Sequence, residues 1–392
     1  MSVPRLTGMS RRTLLNLLGG SVGLGLASLW RGEDAVQAVF QTGRGARTLV
    51  FPPGTIIRTV LKDLAPADLG SGSMLFHEHV GASTIDPVLI EEINSAKKAG
   101  VSCLVSARAG GRQNVVNLRT VSMQMGMPIV ACTGYYMQSA YPKEILGQSE
   151  DQIAEDLVQE ARRDGLGAFG EIGQTADSAA LTPDELKVFR AVGKAHLRTN
   201  LSVFTHTPYG TGPNVPRESG LRQLDAFESV GVKPERVAIG HVCCLDDPKA
   251  DIMKQIAKRG AYVGFDRIAD HHPPDPKGPV PGAVKDTSDE LRIREILEFL
   301  NAGYADRLLL ADDATTQARA ATGQISQLVK DAWLTEAEGA SIKATLNKAI
   351  AFGRTLTVFV PKLRAAGVKE ETLRTIVHDN PLRFLAFQPK MG

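Results

Sequence analysis

From about residue 55 onward, short apolar runs rich in β-branched residues alternate with longer stretches whose apolar positions recur at helical spacing. The short runs predict strands at 73–77, 101–106, 128–133, 167–171, 201–206, 236–241, 260–265 and 307–312. The longer stretches predict helices, among them 87–99, 151–164, 183–199, 217–230, 247–259 and 288–301. At Ala99-Gly100-Val101 a helix stopped by Gly gives way at once to a β-branched run. Eight such units predict an α/β chain folded as a (β/α)8 TIM barrel over residues 55–392, preceded by an extension at 39–54. The rival arrangement is an open doubly wound sheet, which usually carries a Gly-rich dinucleotide turn after its first strand. Here that turn reads His77-Glu78-His79-Val80-Gly81, and neither G-x-G-x-x-G nor G-x-x-x-x-G-K-[ST] occurs in the chain. No second domain or repeat stands out. The one low-complexity tract, the Pro-rich 273–281, follows the seventh strand as either a substrate-shaping loop or a solvent-exposed connector.

The candidate chemistry sits at the ends of the predicted strands. His77 and His79 close the first, Glu171 the fourth, His206 the fifth, His241 the sixth and Asp312 the eighth. Residues two apart on a strand point the same way, so both histidines of His-x-His can reach one ion. A parallel barrel gathers the remaining ligand types on one rim, where the active sites of such barrels lie. One histidine at a strand end is commonly structural; six ligand types at strand ends are a pattern. Imidazoles bind divalent zinc and similar ions, and two neighbouring ions need an anionic bridge between them, for which Glu171 is the natural candidate. Asp312 is placed to ligate one ion and to accept a proton from a bridging water. The other histidines have plainer readings: His196 on a helix face, His378 as a structural residue before Asn380-Pro381, and His271 and His272 beside the Pro-rich tract.

Composition narrows the picture. The 392 residues, 43% hydrophobic, are enough to bury one large core or two ordinary ones. Residues 39–392 carry 41 basic and 41 acidic side chains, which gives no reason to expect a nucleic-acid partner. The first 38 residues read as an address: Arg11-Arg12 leads into the uncharged run from Leu14 to Trp30 and then into Val36-Gln37-Ala38, which resembles a twin-arginine signal with its cleavage site. That resemblance implies the Tat export machinery as a partner and a periplasmic product. An uncleaved N-terminal anchor is the alternative. A G-x-S-x-G match at Gly19–Gly23 lies inside this segment with no strand before it and carries no nucleophile. Cys103, Cys132, Cys243 and Cys244 sit in apolar segments and read as buried thiols rather than a disulfide framework.

Over residues 55–388 these features together resemble the phosphotriesterase-like family of the amidohydrolase superfamily. The resemblance rests on His77-Glu78-His79, Thr205-His206-Thr207, Ile239-Gly240-His241, an Asp at the eighth strand, and the tail from Gly367 through Asn380-Pro381 to Arg383-Phe384-Leu385. It implies two divalent metal ions, zinc first with cobalt, manganese or iron as alternatives. His77, His79 and Asp312 would hold the more buried ion, His206 and His241 the more exposed one, with a hydroxide between them. It also implies a homodimer. Two departures stand out: Glu171 where many relatives have a carboxylated lysine, and Val242-Cys243-Cys244 where many have acids of a proton relay. Tyr136 and Arg267 resemble the pocket residues of the family's lactonases, in which Arg267 would help fix the substrate and order the loop. A salt bridge from Arg267 to Asp266, Asp270 or another rim carboxylate is the competing role.

The expected protein is thus a periplasmic binuclear metal hydrolase that opens lactones or cleaves related esters, with Asp312 as proton acceptor. A phosphotriesterase or phosphodiesterase using the same metals is the alternative reaction. A non-catalytic, metal-stabilised binding protein is the alternative of another class. The address is testable by itself: changing Arg11 and Arg12 together to Lys, which lacks the planar delocalised cation, should retain the precursor in the cytoplasm on cell fractionation. Unchanged delivery to the periplasm would remove the twin-arginine reading.

Overall fold

The structure is a computed structural model that describes residues 49–80, 87–108, 113–175, 180–208, 217–245, 247–268, 289–314, 329–330, 335–337, 339–340 and 352–390. The Arg11-Arg12 segment, His271, His272 and the Pro-rich tract lie outside them. By its internal contacts the chain divides into two compact units, the larger made of residues 43–270, 274–316 and 350–392.

Eight parallel strands form the core of this larger unit: β1 Ser73–Glu78, β2 Val101–Ser106, β3 Ile129–Thr133, β4 Ala168–Gly173, β5 Ser202–His206, β6 Val237–Ile239, β7 Tyr262–Phe265 and β8 Leu308–Leu310. Each pairs with the next in sequence order. The helices between them include α1 Pro87–Lys98, α2 Val115–Met125, α3 Lys143–Gly147, α4 Glu150–Asp164, α5 Pro183–Thr199, α6 Ser219–Glu228, α7 Asp251–Lys258 and α8 Asp289–Asn301. This is the (β/α)8 TIM barrel that the periodicity predicts.

The helices start and stop for local reasons. In α5, Thr182 caps the Glu185 amide while Glu185 reaches back to Thr182, Pro183 opens the first turn, and Asn200 ends the helix in the left-handed conformation. Its buried residues Val188, Phe189, Val192 and Ala195 recur at helical spacing and form the face turned to the core. Inside the barrel, Met74, Phe76, Cys103, Val105, Val130, Cys132, Ala168, Phe204, Ala238, Tyr262, Leu309 and Ala311 share one apolar cluster with Ile57, Leu382 and Phe384. Ile56 exchanges backbone hydrogen bonds of 2.8 and 2.9 Å with Phe387, tying the two ends of this apolar layer together.

The seam between β8 and β1 closes at the start of the functional rim. The Asp313 amide donates to His77 O at 3.0 Å and the His79 amide to Ala314 O at 2.9 Å. Glu78, the middle residue of His-x-His, completes the closure with its side chain, accepting from the Asp312 amide at 2.8 Å and the Ala314 amide at 3.0 Å. Wholly buried and beside Asp312, its carboxyl is pushed well above the usual carboxylate range, against the pull of those two donors.

Candidate metal centre

Glu171 stands among all four imidazoles of the rim. Its Oε2 lies 3.0 Å from His206 Nδ1 and 3.3 Å from both His77 Nε2 and His241 Nε2, and its Oε1 lies 3.6 Å from His79 Nε2. Two groups whose ligand atoms lie within 4.8 Å of one another share this carboxylate: His77 and His79 with Glu171, and His206 and His241 with Glu171. Two ions bridged by one anion need such a donor set. His77 Nε2 is buried and has no hydrogen-bond partner among the described residues. A cation would satisfy that nitrogen, so the residues fit the expected metals.

Asp312, expected from the sequence to ligate, does not face these imidazoles. Its Oδ2 accepts from the Gly353 amide at 2.8 Å, and its Oδ1 accepts from the Thr355 amide at 2.8 Å and hydroxyl at 2.7 Å, so its carboxylate ties down the segment at 353–355. The residue that reaches the site is Asp313, with Oδ1 2.9 Å from His79 Nε2 and 3.6 Å from His77 Nε2, and Oδ2 3.9 Å from His241 Nε2. The reason is strand alternation: Leu309 and Ala311 face the barrel interior, and the same parity turns Asp313 inward and Asp312 outward.

A second carboxylate was missed in the sequence. Asp266, fully buried after β7, lies with Oδ2 2.8 Å from His77 Nδ1 and Oδ1 3.0 Å from His241 Nδ1, and also accepts from the His241 amide at 2.7 Å. Accepting from Nδ1–H fixes the tautomer in which Nε2 keeps its lone pair. One side chain therefore aims an imidazole of each group at Glu171. Its only sequence signal is a carboxylate next to Arg267 at the end of a predicted strand.

Four of the site residues arrive through irregular backbone. The β1–β2 register shifts between Leu75 and Glu78, and the β4–β5 register shifts between Phe169 and Ile172, which releases His77 and Glu171 from strict alternation. His241 takes the left-handed conformation at φ 57°, as does Asp313 at φ 51°. Each costs about 1 kcal/mol and is held by its neighbours, His241 N by Asp266 and Asp313 N by His77 O. Gly240 precedes His241 because a Cβ there would strike the carbonyl oxygen of Thr205.

The charges are mutually dependent. Burial alone would push Glu171 up, but His77 and His206 outweigh it and hold its carboxyl well below the ordinary range. Burial opposes protonation of His77 and His241 too; Glu171 and Asp266 nevertheless hold His77 well above its usual value, and Asp266 and Asp313 raise His241 to about 10. Burial and the neighbouring His241 keep His206 low despite Glu171.

Of the expected substrate residues, Tyr136 places its ring 4.8 Å from that of His206, edge to face, and lines a cavity of about 470 Å3 with Tyr135, Arg108 and Ile145. Arg267 directs Nε to Asp313 Oδ2 at 3.2 Å. His196 and His378 lie elsewhere, His196 Nδ1 2.6 Å from Leu201 O and His378 Nε2 3.0 Å from Gly70 O.

The phosphotriesterase family profile matches residues 56–385, most of the chain, and the chain belongs to that family. The phosphotriesterase homology protein of Escherichia coli (strain K12) is 29% identical over 304 residues, 76% of this chain and 87% of the relative. An aryldialkylphosphatase of Saccharolobus solfataricus is 26% identical over 76% of this chain and 84% of its own length. An N-acetyltaurine hydrolase of Bos taurus is 24% identical over 76% of this chain and 77% of its own. The crystal structure of the phosphotriesterase homology protein from Escherichia coli, complexed with phosphate in its active site, matches with a TM-score of 0.62 at 26% identity, covering 82% of this chain and 100% of that one. The chain is therefore a hydrolase, in a family that typically depends on two metal ions.

Metal binding must displace the protons that Glu171, Asp266 and Asp313 hold on His77 and His241. Both imidazoles are raised, so protons compete with the metal for them, and less so as pH rises. Apparent zinc affinity, measured by competition with a chromophoric chelator, should climb steadily between about pH 6 and 9 with proton release. A flat profile over that window would contradict this charge arrangement.

Proposed function

We propose that this hydrolase opens lactones or cleaves related carboxylic esters, with two divalent ions held by His77, His79, Glu171, His206, His241 and Asp313. The observation that carries the reading is the Glu171 carboxylate shared by the two histidine pairs. Ions bound there would polarise an attacking water and the substrate's carbonyl oxygen. Asp313 is the proton acceptor: beside His79 and Arg267, only 10% exposed and held well below its usual range by His241, His79 and His77 against its burial, it stays ionised. It can then return the proton to the leaving alkoxide. Asp266 keeps the imidazole rings in place through this cycle, and Glu171, bound on all sides, takes no proton.

The lactone preference rests on Tyr136 and Arg267. The Tyr136 ring walls the site beside His206, and the Arg267 guanidinium at Asp313 is where a polarised ester oxygen or ring oxygen can be met by a fixed donor. The name of the Saccharolobus relative and the phosphate in the related Escherichia coli structure favour a second reading, displacement at phosphorus by the same donor set.

The purified, zinc-loaded protein assayed on a panel of γ- and δ-lactones, an aryl acetate and an aryl dialkyl phosphate separates the two. The first reading expects lactones to be turned over with the highest kcat/KM. Arg267→Ala should cut that value roughly 10–100-fold, the loss of one charged hydrogen bond, with metal content unchanged. Phosphotriester turnover exceeding that of every lactone, or an Arg267→Ala protein of normal lactonase activity, would contradict it.

A further inference from the structure

His241 is followed at once by a single 3-10 turn, Val242–Cys244, that carries two adjacent thiols. Cys243 Sγ and Cys244 Sγ lie 4.0 Å apart, and both side chains are buried. They converge on one residue of the neighbouring strand end: the Arg267 amide donates to Cys243 Sγ at 3.4 Å, and Arg267 Nη1 donates to Cys244 Sγ at 3.8 Å. From there the guanidinium turns Nε toward Asp313 Oδ2 at 3.2 Å. Arg267 is thus met by sulfur at its backbone and at the far end of its side chain, with the site carboxylate between.

The choice of sulfur has a physical consequence. A carboxylate in place of Cys244 would take the planar fork of Arg267 in a bidentate ion pair and draw it away from Asp313. An apolar side chain there would offer Nη1 no acceptor and remove one of the contacts that limit the rotamers of this long side chain. A thiol accepts weakly. At 3.8 Å it limits the rotamers of Arg267 through a longer contact than a carboxylate would make, so the guanidinium is already oriented when a substrate arrives.

We propose that Cys243 and Cys244 are a pair of positioning residues that present the Arg267 guanidinium to Asp313 and to the substrate, and so govern substrate binding more than the chemical step. The proposal rests on the reading of Arg267 as a substrate-contacting residue. Neither thiol touches the substrate or takes part in bond making. Preorganisation of this kind is felt as KM: an Arg267 held by fewer contacts must be ordered each time a substrate binds.

The test uses the full chain, zinc-loaded, with phenyl acetate and γ-butyrolactone as probes, and compares Cys244→Ala, Cys244→Ser, Arg267→Ala and the double variant Arg267→Ala/Cys244→Ala. Cys244→Ala should raise KM roughly tenfold, with kcat within about twofold and metal content unchanged. Cys244→Ser, which keeps an acceptor and the size needed for folding, should restore most of the loss. The double variant should be no worse than Arg267→Ala alone, because the thiol acts only through the arginine. A crystal structure of Cys244→Ala should show the guanidinium turned from Asp313. An Arg267 still at its present distance from Asp313 in that structure, an unchanged KM in Cys244→Ala, or losses that multiply in the double variant would each overturn the proposal while leaving the role of Arg267 intact. Normal kinetics in Arg267→Ala would instead remove the substrate role of Arg267, and the proposal with it.

Discussion

A carboxylate 2% exposed and within 3.6 Å of four imidazoles is the constraint around which the rest of the rim is arranged. An ionised group in such a place is tolerated only if it is paired and hydrogen-bonded, and Glu171 is matched on every side by a ring nitrogen or by the cations those nitrogens would hold. The rings must in turn be fixed, because an imidazole that rotates away leaves the carboxylate without compensation. Asp266 does this for one histidine of each pair, and its own charge is stabilised by the same two rings, which hold it below its usual value against its burial. Glu171, Asp266 and Asp313 therefore form a set in which no member is comfortable alone. Divalent ions would complete it, since they would replace protons with a larger positive charge at the same nitrogens.

The site is also part of what closes the barrel. The amide of Asp313 bonds to the carbonyl of His77 across the β8–β1 seam, and Glu78 gathers the amides of Asp312 and Ala314. The His-x-His motif thus performs two tasks with alternate residues: the histidines turn to the ligand cluster while the glutamate between them holds the last strand in register. Asp312 extends the tie outward to Gly353 and Thr355, at the start of the described C-terminal residues 352–390. Asp313, the proposed proton acceptor, is tied into that seam by its own amide, and a group that must meet a reacting proton at hydrogen-bond distance needs such a fixed position.

Much of this was legible in the chain. The short apolar, β-branched runs place all eight strands within a few residues, and ligand types at their ends bring His77, His79, Glu171, His206 and His241 together, because a barrel has one rim for all of them. The error at Asp312 has a simple origin: the apolar run ends there, whereas the parity set by Leu309 and Ala311 points on to Asp313. Parity alone is not sufficient, since His77, Glu171 and His241 depart from it through two register shifts and a left-handed residue, none of which has a sequence pattern of its own. Asp266 was missed because a residue that orients ligands carries no motif; its role exists only where β1, β6 and β7 end side by side. Cys243 and Cys244 were read as buried thiols, and they are, but their approach to Arg267 depends on the same adjacency.

The charge of Glu171 is what the two histidine pairs have in common. Its replacement by Gln keeps the shape and removes the anion between them, and the direct measurement is metal content per chain by elemental analysis after equilibration with zinc and removal of the unbound ion. A bridging carboxylate that offsets the mutual repulsion of two cations predicts two equivalents in the wild-type protein and clearly fewer in Glu171→Gln, with hydrolysis lost in parallel. A Glu171→Gln protein that retains two tightly bound ions and full activity would contradict the bridging role at its centre.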